Sequence, residues 1–132
     1  MAYASALLRD PAQTYRRIDL AGRTANADGP ALVQLLYEEL GQALRAAAWA
    51  AEHKKFAIKS ERVTRATAIL FALEAGLDFE KGGEVSTTLA RLYAGARRQV
   101  IEASLGQDGA PFRDVADSMA EIAEAWRTAR AA

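Results

Sequence analysis

Apolar positions recur at helical spacing in four stretches of the chain. After Asp28-Gly29-Pro30, a strong start signal, Leu32, Leu36, Leu40, Leu44 and Ala48 fall every four residues, with Val33 and Tyr37 beside them. That spacing predicts an amphipathic helix to about Glu52. His53-Lys54-Lys55 then places positive charge where a helix dipole favours it. In a second stretch Val63, Ala66, Leu70, Leu73 and Leu77 alternate three and four apart, the spacing of a bundle seam. Gly76 reads as the C-cap of that helix. A third helix is predicted from about Gly83-Glu84, carrying Val85, Leu89, Leu92, Ala96, Val100 and Ala103, before a turn bracketed by Gly106 and Gly109. The fourth carries Phe112, Val115, Met119, Ile122 and Trp126, with Pro111 near its start, where proline is tolerated.

Four helices of about 20 residues on short links predict an all-α fold, an antiparallel four-helix bundle over residues 28–130. Residues 1–27 are less regular and read as an N-terminal arm or short capping helix. Asp10-Pro11 would start that helix, ending near Ala21. Leu7, Leu8, Tyr15 and Ile18 are apolar yet outside the four seams. They suggest an arm folded over an empty groove.

Composition narrows the function. The 132 residues suffice for one domain with a real core. There is no cysteine, which excludes disulfide and thiolate chemistry. Seventeen basic residues balance seventeen acidic ones. That balance argues against nucleic acid as a partner, because phosphate binding needs a basic surplus. No run approaches the roughly 18 apolar residues of a membrane span. The N-terminal AYASALL is short and follows no basic residue, unlike a secretory leader. A cytoplasmic protein without membrane insertion is expected.

Catalytic and metal-binding patterns fail in turn. Di-metal bundles use Glu-x-x-His pairs, and the single histidine, His53, has no glutamate three residues before it. His53 reads as a helix-end residue, with no nucleophile elbow near it. Asp78, Glu80 and Gly83 occupy positions 1, 3 and 6 of a calcium loop, but Leu89 stands where a bidentate glutamate is required. Gly82-Gly83 makes a poor phosphate cradle, with no strand before it and Lys81 on the wrong side. Neither an enzyme, a metal nor a cofactor is expected.

What remains is surface. Trp49, Phe71, Tyr93 and Ile101 fall off the seams, and Phe79 stands in a connector. Several such residues together suggest a patch or groove for another chain. An amphipathic helix lying in a groove is one recognition mode of that kind. A self-associating structural bundle would explain the same residues as a dimer interface. Tyr37 and Tyr93 fit either a core role, ring packed and hydroxyl bonded, or the partner surface.

The segment LEAGLDFEKGGEVSTTLARLY resembles the signature of the FliS family of flagellin export chaperones. Its elements are Leu77, Asp78, Glu80, Gly82, Gly83, Glu84 and Val85, followed by Leu89, Leu92 and Tyr93. GPALVQLLYEEL resembles the opening of that family's first long helix at Pro30, Leu32 or Val33, Leu36 and Tyr37. Ala125-Trp126-Arg127 fits the family's C-terminal stretch and Tyr15 its N-terminal tyrosine. The likeness runs from about Tyr15 to Trp126. The chain departs from the pattern at Glu38-Glu39, Ala94-Gly95 and Ala103-Ser104.

The resemblance implies a mostly monomeric cytosolic chaperone. It would bind the disordered C-terminal segment of flagellin one-to-one and prevent premature polymerisation. It would also support delivery to the type III export gate through FlhA. The candidate tail-binding residues are Leu36, Tyr37, Trp49, Phe71, Leu77, Phe79, Tyr93 and Ile101. Gly82, Gly83 and Glu84 are expected to form the connector turn, with the glycines permitting a reversal and Glu84 facing a helix N-terminus.

Overall fold

The computed structural model describes residues 29–131. Four helices follow one another: α1 (Gly29–Glu52), α2 (Phe56–Ala75), α3 (Phe79–Ala103) and α4 (Ala110–Ala131). Among the described residues there is no strand. The chain is an all-α bundle in which each helix packs against its neighbours in sequence and α4 closes the ring on α1. The N-terminal arm, with Leu7, Leu8, Tyr15 and Ile18, lies outside the described residues.

α1 forms the centre of the core. Leu32, Leu36, Leu40 and Leu44 are buried along it, interleaved with Ala43, Ala47, Ala48, Ala50 and Ala51. Alanine adds no side-chain entropy cost and holds neighbouring backbones close. At Gly109, just before α4, a Cβ would stand 2.6 Å from Glu52 Oε2 and 2.8 Å from the Ala48 carbonyl oxygen. Only a glycine lets the α3–α4 link approach α1 that closely.

α1 ends in a Schellman motif. The Lys55 N–H donates to the Ala50 carbonyl at 2.8 Å and the Lys54 N–H to the Ala51 carbonyl at 3.4 Å. Lys54 sits in the left-handed region, with φ 55°. At Gly76 the C-cap of α2 is right-handed, with φ −83°, so the glycine's freedom is not used there.

The α2–α3 connection has more structure than its sequence suggests. Asp78 caps a first helical turn, its carboxylate accepting the Glu80 and Lys81 N–H groups at 3.0 Å. Gly83, with φ 50° and ψ −123°, sets this turn off from the long segment that follows. Ser86 Oγ donates back to the Asp78 carbonyl at 2.9 Å. Farther out, Arg97 pairs with Glu74, and Lys59 Nζ donates to the Gly106 carbonyl at 2.9 Å. The Asp78–Ser86 contact brackets Gly82 and Gly83. The two glycines serve different needs. Gly83 adopts a left-handed φ, while a Cβ on Gly82 would stand 2.0 Å from Ser86 Oγ. Glu84 opens the long segment and is exposed.

Three of the four seams carry ion pairs. Arg65–Glu39 at 3.1 Å joins α2 to α1, Arg97–Glu74 joins α3 to α2, and Arg45–Asp117 at 2.9 Å joins α1 to α4, with Arg113–Glu52 beside it. Among the described residues no ion pair joins α3 to α4.

Candidate functional site

The structure separates the expected partner residues into inside and outside. Leu36, Tyr37 and Tyr93 lie almost wholly in the core, at 1%, 4% and 2% exposure. For Tyr93 the reason lies in the phase of α3. Beyond the Gly83 break its inward residues are Ser86, Tyr93, Ala96 and Val100. Val85 and Leu92, expected on the seam, are exposed instead, as is Trp126 on α4. Turning Tyr93 inward lets its hydroxyl hydrogen-bond that of Tyr37 across the bundle. Burial pushes the Tyr93 hydroxyl well above the usual tyrosine range, and the neighbouring Tyr37 adds to this. Burial also raises Tyr37, opposed by hydrogen bonds from Tyr93 and Trp126.

The remaining candidates do not form one patch. Phe71 and Ile101 are exposed along the α2–α3 side, where the Arg97 guanidinium lies 4.0 Å from the Phe71 ring centroid. Leu77 is half-buried against the core, while Phe79 is exposed on the Asp78-capped turn. Trp49 lies toward the opposite end of the bundle, stacked on His53 with ring centroids 4.3 Å apart. His53 Nδ1 is 2.8 Å from the Trp49 carbonyl oxygen, so the histidine is occupied at a helix end. Among the described residues no group of His, Asp or Glu could hold a metal ion.

A groove that the seam pattern did not reveal runs between α1 and α4. It encloses about 330 Å³ and is lined on one side by Gln34, Tyr37, Glu38, Gly41, Gln42 and Arg45. Ala116, Met119, Ala120, Ala123 and Arg127 line the other. Its floor is built from small residues, Gly41, Ala116, Ala120 and Ala123, so a bound chain could approach the backbones closely. The sliver of Tyr37 that is exposed faces this groove. Gln34 Nε2 is buried there without a hydrogen-bond partner among the described residues. The signal in the sequence was the run of small residues on α4, spaced three and four apart, which reads equally well as core. Phe56, Ile58 and Leu105 are further exposed apolar residues that periodicity did not single out.

Among the described residues no helix is long and apolar enough to cross a membrane. An apolar-lined groove and exposed aromatic residues are features that polypeptide-binding surfaces share.

Known proteins with similar sequences agree. The family described as Flagellar protein FliS matches residues 11–132. A flagellar secretion chaperone FliS of Salmonella typhimurium is 31% identical over 116 residues, 87% of this chain and 86% of the relative. The flagellar secretion chaperone FliSB of Pseudomonas aeruginosa is 27% identical over 112 residues, 85% of this chain and 89% of the relative. A FliS of Vibrio cholerae is 26% identical over 119 residues, 90% of this chain and 88% of the relative. These relatives are named as chaperones rather than enzymes, and the chain belongs to the FliS family of flagellar secretion chaperones.

Proposed function

We propose that this chain captures the C-terminal segment of flagellin one-to-one in the cytoplasm and keeps it from polymerising before export. The observation that carries the reading is the α1–α4 groove, apolar in lining and floored by small side chains. One helical stretch of the tail would lie there with its large apolar residues against Ala116, Ala120 and Ala123. A groove of that size takes only a few side chains. Binding at about 1 μM requires a net free energy near −8 kcal/mol, after about 2–5 kcal/mol is lost to ordering the tail. The tail must therefore reach further, onto exposed residues such as Phe71, Phe79, Trp49 and Ile101. An extended, disordered ligand suits that wrapping.

Residues 1–27 would cover the groove when cargo is absent, and the loaded chaperone would dock at the export gate on FlhA. If removal of residues 1–20 left both tail affinity and protease protection unchanged, the covering role would fall. Calorimetric titration with the C-terminal segment of the same organism's flagellin tests the main reading. A one-to-one complex at or below about 1 μM with negative ΔCp is expected. No heat, together with no complex on gel filtration, would overturn the cargo assignment. Self-association is the competing account of the exposed residues, and sedimentation across concentrations should show mostly monomer.

A further inference from the structure

α3 is attached to the bundle differently from the other helices. Of its 25 residues only Ser86, Tyr93, Ala96 and Val100 are buried, with Leu89 and Ala103 partly buried against the core. Its packing on α4 is the sparsest of the four neighbouring pairs, and no ion pair among the described residues crosses that seam. Its polar ties to α2 are on the outside, through Arg97 to Glu74 and Phe71. At its start the backbone turns on Gly83, with φ 50° and open space where a Cβ would be. The Tyr93 hydroxyl bonds that of Tyr37 on the diagonally opposite helix.

We propose that α3 opens as a unit, hinged at Gly83 and along its α2 side, and that the Tyr37–Tyr93 hydroxyl pair is the latch that holds it shut. Proteins open locally where little apolar surface is buried, in contiguous units that follow supersecondary structure. A small buried set, a sparse α4 seam and a glycine hinge make α3 such a unit. The latch works because the two hydroxyls bond each other in a dry environment. Tyr37 has a second partner in Trp126, so the Tyr93 hydroxyl is the one that breaking the pair inside the closed bundle would leave buried and unpaired. Closure therefore favours the bonded pair. Opening hydrates both hydroxyls and uncovers Ala96, Val100 and the core behind them, creating an apolar surface that the closed bundle lacks. This inference does not depend on the identity of the cargo.

Native-state hydrogen exchange on the full chain tests it, using the wild type, Tyr93→Phe and Tyr37→Phe. In the wild type, the amides of Ala96 and Val100 should exchange through a shared opening. They should do so at least about tenfold faster than those of Leu40 and Leu44. That opening should depend only weakly on denaturant, since it exposes part of the core. Both substitutions remove the same bond, so both should accelerate α3 exchange about five- to tenfold. Equal protection of α3 and α1 in the wild type would overturn the hinged unit. No acceleration in either variant, or acceleration in Tyr93→Phe alone, would overturn the latch by assigning the effect to packing.

Discussion

α1 and α3 are nearly equal in length but hold to the fold by opposite means. α1 places leucines every four residues and fills the gaps with alanine, so both neighbours pack on it closely. α3 buries four residues and relies on specific polar contacts to its neighbours, Tyr93 on Tyr37 and Arg97 on Glu74. Val85, Leu92 and Ile101 are left outside. A continuous apolar face fixes a helix by area. A few directional contacts fix it by geometry and leave apolar surface free for another chain.

The strongest way to break the comparison is to truncate one fully buried aliphatic residue in each helix to alanine. Leu44→Ala should cost about 3–5 kcal/mol, because fully buried leucine leaves a cavity among small residues that cannot collapse. Val100→Ala removes less volume from a sparser seam and should cost about 1–2 kcal/mol. Urea unfolding gives both numbers, and equal losses would show that α3 is integrated as tightly as α1.

The next effect concerns the glycine pair. Gly83→Ala forces a Cβ into a left-handed conformation and should cost about 1–2 kcal/mol. Gly82→Ala should cost about 1–3 kcal/mol, because its Cβ collides with Ser86. Replacing Ser86 with glycine should recover part of the Gly82→Ala loss and none of the Gly83→Ala loss. A double-mutant cycle in urea would reveal whether the two glycines are as distinct as their surroundings imply.

A smaller effect sharpens the account of the tyrosine pair. Both hydroxyls have raised pKa values in the folded chain against 10.0 when exposed, so the neutral form is favoured by folding. Their contribution is fully present below pH 10. It is lost as pH rises further, because only the unfolded chain then ionises, at about 1.4 kcal/mol per pH unit for each tyrosine. Replacing both with phenylalanine should flatten the alkaline limb of stability against pH. An unchanged slope would mean that the hydroxyls are not held neutral.

Most of the scaffold was legible in the sequence. The leucine repeat of α1 and the three-four spacings of α2 and α4 predict their buried faces, because a continuous stripe has only one way to turn inward. α3 was misread for a physical reason. The spacing predicts its seam at Val85, Leu89, Leu92, Ala96, Val100 and Ala103; Ala96 and Val100 are buried and Leu89 and Ala103 pack on the core, but Tyr93 turns inward in place of Val85 and Leu92. The choice is made by a hydroxyl pair 56 residues apart in sequence and by the Gly83 break, neither of which spacing can see. Of the two roles open to Tyr37 and Tyr93 in the sequence, their burial matches the core one. The α1–α4 groove was hidden for a related reason. A small residue reads as close packing, whether its neighbour is part of the same chain or is still to arrive.

The central claim, that the α1–α4 groove receives the flagellin tail, is tested most directly by filling it. Ala120 lines the groove and is exposed, so Ala120→Trp should leave helical content and melting temperature near those of the wild type. Titration of that variant with the flagellin C-terminal segment should then show at least a tenfold weaker Kd. A folded Ala120→Trp chain that binds the segment as tightly as the wild type would contradict the account.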